Sequence, residues 1–179
     1  MSVVWDDLLS DTASARSGGT APALSKVADN AAGTSTGVYA NLFSDATKEV
    51  HIIVQVPHKW AHGTNIKPHV HWFPTTEISN GETVVFNLEY LWTNVGDVLP
   101  TDTTEDQVTY TSSGATPAKT HKMTNLTAIA GTGMGVSSIL LCRVGGDATS
   151  TFAGDIFIIG IDFHIQIDGL GSLNEASKP

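Results

Sequence analysis

The chain has 179 residues, of which 41% are hydrophobic and 15% are charged, and its formal net charge is −9. This length and hydrophobic share predict one domain with a real core and exclude a wholly disordered chain. The scattered Lys and Arg residues exclude a basic surface for nucleic acid or anionic lipid. No apolar run approaches the ~20 residues of a membrane span. The acidic start MSVVWDDLLSD is unlike a signal peptide, so we expect a protein made in a cytoplasm.

Residues 1–36 differ in composition from the rest of the chain. After Trp5, Leu8 and Leu9 they are mostly Ala, Ser, Gly and Thr, which cannot bury enough apolar area to offset the entropy lost on ordering. We therefore predict a flexible N-terminal arm over 1–36 and a β-sandwich domain over 37–179. Two interpretations stay open: the arm is a disordered tail, or it orders on a neighbouring subunit through Trp5, Leu8 and Leu9.

The remainder of the sequence predicts one strand after another. Alternating apolar positions and closing prolines predict strands, in chain order, at 50–56, 69–73, 86–92, 123–130, 137–144 and 161–167. The strand at 137–144 is apolar enough to be buried on both faces. The Thr-rich residues 100–120 predict a long loop or an exposed edge. Short strands without intervening helices indicate an all-β, antiparallel sandwich, of jelly-roll type first and immunoglobulin-like topology second.

The histidines are the best candidates for chemistry. His69 and His71 are two apart on a predicted strand, so their side chains leave the same face, and His164 or Glu89 on adjacent strands could complete a metal site. The segment GTNIKPHVHW resembles the first cupin signature at Gly63 and the two histidines, but Glu77 comes about one residue late and no second signature follows. We therefore predict no metal and no cofactor. A cupin-like metal-dependent enzyme using these histidines is the lesser alternative.

A structural interpretation of the same residues is favoured. The predicted polar strand faces carry side chains that can hydrogen-bond across a sheet inside a subunit interface or along a threefold axis: His69, His71, Glu89, Asp162 and His164. Other catalytic patterns fail. The glycines of 131–135 indicate a turn and not a phosphate loop, and Asp162 and Asp168 would lie about 20 Å apart on one strand. Cys142 lies in an apolar run, which predicts a buried, inert thiol. We expect a protein without enzymatic activity.

Several segments together resemble one family of proteins. They are VVWDDL, NLFSDATKEVHIIVQVPHKWAHGTNIKPHVHW, NLEYLWTNVG, SSILLCRVGGDAT and IDFHIQIDGLGS. The family consists of small jelly-roll virion structural proteins of tailed bacteriophages, which act in capsid decoration (cement), in head fibres or in tails. The resemblance implies a virion protein with no enzymatic activity.

These observations predict a capsid decoration protein that binds the assembled particle through its arm and its sandwich. Low charge suits large shared interfaces, so we expect a homo-oligomer, a trimer first, whose further partners are the major capsid protein or other virion proteins. The alternative is a tail or head-fibre component that binds host-surface carbohydrate, with Trp60, Trp72 and Trp92 stacking on sugars.

Overall fold

The computed structural model describes residues 4–10 and 20–169, and within them it contains ten strands and no helix. The strands are β1 (Val4–Ser10), β2 (Ala23–Ala28), β3 (Val38–Phe43), β4 (Glu49–Gln55), β5 (Lys67–Pro74), β6 (Thr83–Thr93), β7 (Thr104–Thr111), β8 (Lys122–Asn125), β9 (Ile139–Gly146) and β10 (Ile156–Ile167). In the described ranges no helix is therefore long and apolar enough to cross a membrane.

The strand pairing is that of a jelly roll. The last eight strands pair from the outside inwards, β3 with β10, β4 with β9, β5 with β8 and β6 with β7, all antiparallel. Two further pairings, β10 with β5 and β9 with β6, complete two sheets in the orders β3-β10-β5-β8 and β4-β9-β6-β7. This is the double Greek key of a jelly-roll sandwich. The predicted fold class is confirmed.

The core lies between the two sheets because each strand contributes every second side chain to it. From the first sheet come Val70 and Trp72 on β5 and Ile161, Phe163 and Ile165 on β10, all at most 1% exposed. The second sheet contributes a comparable set: Val50, Ile52, Val54, Phe86, Leu88, Leu140, Cys142 and Val144. The indole of Trp72 packs edge-on against Phe86, with ring centroids 5.6 Å apart, and so joins the two sheets.

Most predicted strands are found close to their expected places, and three differ in detail. The segment 137–144 forms β9, but only its core face is buried, because Arg143 and Leu141 lie on the half-buried outer face. The strand predicted at 123–130 ends at Asn125, and beyond it only an isolated bridge joins Ile129 to Ile66. Within 100–120 an edge strand, β7, is present, which is one of the two alternatives predicted there.

The predicted arm contributes two strands to the first sheet. β2 pairs with β3, and β1 pairs in register with β10 from Val4 opposite Ile167 to Ser10 opposite Ile161. Leu8 points to the core side and packs against it, whereas Leu9 is 84% exposed. Residues 11–19 of the predicted arm lie outside the described residues. That the arm orders on a neighbouring subunit stays a prediction.

The docking of β1 can be tested with its two adjacent leucines. Leu8→Ala is expected to lower the free energy of unfolding by about 1–2 kcal/mol, because it removes partly buried methyl groups from the core edge. Leu9→Ala, the matched control, is expected to change it by less than about 0.5 kcal/mol because Leu9 contacts mainly solvent. Urea denaturation of the two variants and the parent chain measures both values. Equal effects of the two substitutions would contradict the register of β1.

Candidate functional site

The outer face of the first sheet carries a group of six titratable side chains, which we call the histidine–aspartate cluster: Asp7, His69, His71, His121, Asp162 and His164. The period of two places His69 and His71 on the outer face of β5, since Val70 and Trp72 fill the core. The neighbouring strand β10 presents Asp162 directly opposite His69, with His164 two residues further along. On the other side of β10, strand β1 places Asp7 opposite His164.

The carboxylate of Asp162 lies at the centre of this cluster. One of its oxygens, Oδ1, is 3.2 Å from His71 Nε2 and 3.8 Å from His69 Nδ1. The other, Oδ2, is 3.1 Å from His164 Nε2. Asp162 and His69 are each only 4% exposed. A single buried carboxylate therefore faces three imidazole rings.

The outer members of the cluster extend it towards solvent. The His164 Nε2 atom that faces Asp162 also lies 2.8 Å from Asp7 Oδ1, and the Asp7 side chain is 53% exposed. His71 Nδ1 lies 2.9 Å from Nε2 of His121, just before β8. The rings of His69 and His164 meet edge to face with centroids 3.9 Å apart. The cluster thus runs from a buried centre to an accessible rim.

Two polar atoms at the buried centre make no hydrogen bond to any described residue. They are His69 Nδ1 and Asp162 Oδ1; His71 Nε2 lies 3.2 Å from Oδ1 but is not aligned for a hydrogen bond. Burial lowers the pKa of His69, and the neighbouring His164 lowers it further, against a smaller opposite effect of Asp162. His69 is therefore neutral at pH 7 and keeps one ring nitrogen unprotonated. Leaving buried polar atoms without a partner is costly, and a bound ion or water would remove that cost.

The structure brings together four of the predicted site residues and separates the rest. His69, His71, Asp162 and His164 meet as expected. Glu89 does not join them, and the prediction of one shared polar network is wrong in this respect, because β6 belongs to the second sheet. Asp7 and His121 were missed. Neither lies in an alternating pattern, and only the strand pairing reveals that Asp7 faces His164.

The remaining predicted contact residues lie on or beside β1. Trp5 is 40% exposed, and the ammonium group of Lys67 lies 4.4 Å from its ring centroid. Leu8 is partly buried against the core while β1 is docked, whereas Leu9 is 84% exposed. The interface roles predicted for these residues stay predictions.

Glu89 belongs to an ion-pair network on the outer face of the second sheet. The guanidinium of Arg143 donates hydrogen bonds to three carboxylates, those of Glu49 (3.1 Å), Glu89 (2.6 Å) and Glu105 (3.1 Å). A hydrogen bond from Thr103 and another from Arg143 lower the pKa of Glu89. At Glu49 burial favours a higher pKa, but hydrogen bonds from His51 and Arg143 outweigh it and lower the pKa. Both carboxylates therefore stay charged well into the acidic range.

The predicted sugar-stacking surface is not formed. Trp60 and Trp72 are fully buried, and Trp72 donates a hydrogen bond from Nε1 to Thr124 Oγ1. Trp92 packs against the core and donates from Nε1 to Ser138 Oγ. The prediction that these three indoles stack on carbohydrate is wrong. The alternation of β5 and β6 turns Trp72 and Trp92 inwards, and Trp60, in the loop before β5, packs beside Trp92 with ring centroids 5.8 Å apart.

Apolar side chains are nevertheless exposed on both outer faces. On the second sheet Ile53, Leu141 and Leu91 lie side by side across three strands, and Ile53 is 66% exposed. Beside the first sheet lies an open groove of about 320 Å³. It is lined by Leu24, Val27, Val38, Tyr39, Phe73 and Ile159. Exposed apolar groups that lie together are typical of protein contact surfaces.

Comparison with known proteins adds distant similarities in structure, including the two given below. No family model and no curated protein matches the chain. The CBM36-1 domain of a multidomain xylanase from the hindgut metagenome of Trinervitermes trinervoides is 11% identical over 93% of this chain and 100% of that chain, with a TM-score of 0.49. The enzymatically active domain of tailspike protein 4 of bacteriophage CBA120 is 9% identical over 92% of this chain and 19% of that chain, with a TM-score of 0.32.

The thiol of Cys142 is expected to be inert in the folded protein. Its side chain faces the core, and burial raises its pKa to about 12. Because the thiolate is the reactive form, a disulfide reagent at about pH 8 should label the native chain only as fast as it unfolds. The same chain in guanidinium should react at once and supplies the control. Rapid labelling of the native protein would contradict the packing of β9.

The Arg143 network should make stability depend on acidity. Lowered pKa values of Glu49 and Glu89 in the folded state mean that the unfolded chain binds more protons at acid pH. The stabilisation is present above their ordinary pKa of 4.5 and is lost as pH falls through the folded-state values. Arg143→Met should lower the free energy of unfolding at neutral pH by about 1–2 kcal/mol.

The pH profile of unfolding separates this effect from lost packing. Between about pH 5 and pH 3 the stability of Arg143→Met should fall less steeply than that of the parent chain. Arg143→Lys keeps the positive charge but loses the planar guanidinium that bonds several carboxylates at once. It should therefore retain part of the pH dependence of the free energy of unfolding. Identical slopes in all three proteins would show that Arg143 does not set the two carboxylate pKa values.

Proposed function

We propose that this chain is a structural component of a tailed-phage particle, located in the tail or in a head fibre, that acts by binding and not by catalysis. The observation that best supports a tail or head-fibre location is the position of β1. Its seven residues are paired with β10 of the same chain, and Leu8 packs on the core. A segment paired in this way is part of its own sheet, which argues against its use as an arm that grips a preassembled shell in capsid decoration. Binding then falls to the outer sheet faces.

The residues that carry the family resemblance support the proposal. The segments VPHKWAHGTNIKPHVHW and IDFHIQID lie far apart in sequence but form one unit of structure. β5 pairs with β10, the loop before β5 forms a bridge from Trp60 to Ile167, and Ala61 N donates to Gln166 O at 2.7 Å. Their inward side chains build the core and their outward ones build most of the histidine–aspartate cluster. The resemblance therefore concerns both the jelly roll and its outer surface.

The outer surfaces are consistent with contacts between subunits. Only 15% of the residues are charged, and apolar side chains such as Ile53, Val38 and Leu24 are 66% exposed. Such surfaces are typical of proteins that assemble with copies of themselves or with other proteins. We also propose that the chain forms a homo-oligomer, with a trimer as the first choice.

Localisation on particles tests the proposal. Antibodies raised against the purified chain, detected with gold in electron micrographs, should label the tail or the head fibres of particles produced from the genome that encodes it. Particles from a genome lacking this gene are the control. Labelling spread evenly over the head, with heads of the deletion particles bursting more readily on heating, would favour capsid decoration instead. Absence of the protein from purified particles would refute a virion role.

Binding to host-surface carbohydrate is the second candidate, and it now depends on different aromatic residues. Trp5 and Tyr39 are 40% and 44% exposed and present rings on which a sugar can stack. If the protein binds glycans on an array, Trp5→Ala or Tyr39→Ala should abolish the signal, while Trp92→Phe should leave it. A signal that survives both alanine substitutions would place the contact elsewhere.

A further inference from the structure

The centre of the histidine–aspartate cluster has the composition and spacing of a metal site. One ligand atom from each of His69, Asp162 and His164 lies within 4.8 Å of the other two. Ligands held at about 2.0–2.2 Å in a tetrahedron around zinc lie about 3.3 Å apart. Asp162 Oδ2 is 3.1 Å from His164 Nε2, and Asp162 Oδ1 is 3.8 Å from His69 Nδ1. Small side-chain movements would therefore bring all three atoms onto one ion.

The unpaired atoms of this centre point to the same conclusion. The side chains of His69 and Asp162 are only 6% and 5% exposed, and neither His69 Nδ1 nor Asp162 Oδ1 makes an aligned hydrogen bond to a described residue. At 3.8 Å they are too far apart to satisfy each other. Each can offer a lone pair to a cation between them.

The charge around the centre matches a divalent cation. Asp162 and Asp7 both face His164 Nε2, at 3.1 and 2.8 Å, so two carboxylates converge on one ring nitrogen. Together they would neutralise an ion of charge +2. Imidazole with carboxylate is a donor set that suits zinc and its neighbours among the transition metals, whereas Ca²⁺ and Mg²⁺ prefer oxygen ligands alone.

We propose that His69, Asp162 and His164 bind one Zn²⁺ ion, and that Asp7, whose Oδ1 lies 2.8 Å from His164 Nε2, moves in as the fourth ligand. The four ligands come from three strands, β5, β10 and β1. Because Asp7 lies on the N-terminal strand, the ion would tie β1 to the sheet, and metal content would control how firmly that strand is held. The inference does not depend on the phage assignment, since a particle component can act with or without an ion.

Metal titration of the purified full-length chain tests the site. After stripping with a chelator, the protein should bind one Zn²⁺ per chain by calorimetry, and its melting temperature should rise on binding. Co²⁺ in place of Zn²⁺ should give the visible absorption of a four-coordinate site. His164→Ala and Asp7→Asn change partly exposed side chains and should fold, and each should weaken Zn²⁺ binding by at least about tenfold.

A matched control uses a histidine on the other sheet. His51→Ala removes an imidazole from the outer face of β4 and should leave Zn²⁺ affinity unchanged. Binding that is equal in His51→Ala, His164→Ala and the parent chain would mean adventitious binding to exposed histidines and would overturn the proposal. No binding by the stripped parent chain would overturn it as well. Unchanged Zn²⁺ affinity in Asp7→Asn would contradict the role of Asp7 as a ligand and the claim that the ion holds β1 to the sheet.

Discussion

The antiparallel pairing of β5 with β10 is the interaction on which the rest of the structure depends. In this register His69 lies opposite Asp162 and Val70 lies opposite Ile161, so polar and apolar pairs alternate along the two strands. One set of pairs closes the core and the other set forms the centre of the histidine–aspartate cluster. A slip of one residue would exchange the two faces and bury Asp162 and His164 among apolar side chains, which fixes the register strongly. The core and the cluster are therefore two consequences of one pairing.

The sequence predicted those properties that depend on local alternation. The inward rows of β4 and β10, the closing prolines and the outward direction of His69, His71, Asp162 and His164 all follow from a period of two. It did not predict which strands are neighbours, because pairing in a jelly roll joins segments far apart in the chain. Glu89 was therefore expected beside histidines that lie on the other sheet, and Asp7 was missed. The tryptophans were misjudged for a related reason: amino-acid type alone does not say which face a side chain takes.

The N-terminal residues show how tertiary contacts override composition. The composition of residues 1–36 predicts little structure by itself, yet β1 has a prepared edge of β10 to pair with. Backbone hydrogen bonds along that edge, the packing of Leu8, the Lys59–Asp6 ion pair and the contact of Asp7 with His164 act together to hold it. The two outer faces of the sandwich also differ in chemistry: an Arg143 network with satisfied carboxylates on one, and a centre with unpaired atoms on the other.

Along one of its edges, β10 pairs with two different strands, one after the other. Ile156 to Ile158 pair with β3, Ile161 to Ile167 pair with β1, and the irregularity between Ile158 and Gly160 separates the two stretches. The opposite edge is taken by β5. If β1 left its place, the second stretch would present a row of unpaired amide and carbonyl groups in the middle of the molecule. Such a row accepts an added strand from any chain that offers one, including the first strand of a sister copy. The same seven residues that close the monomer thus have the geometry to cross-link an assembly by exchange.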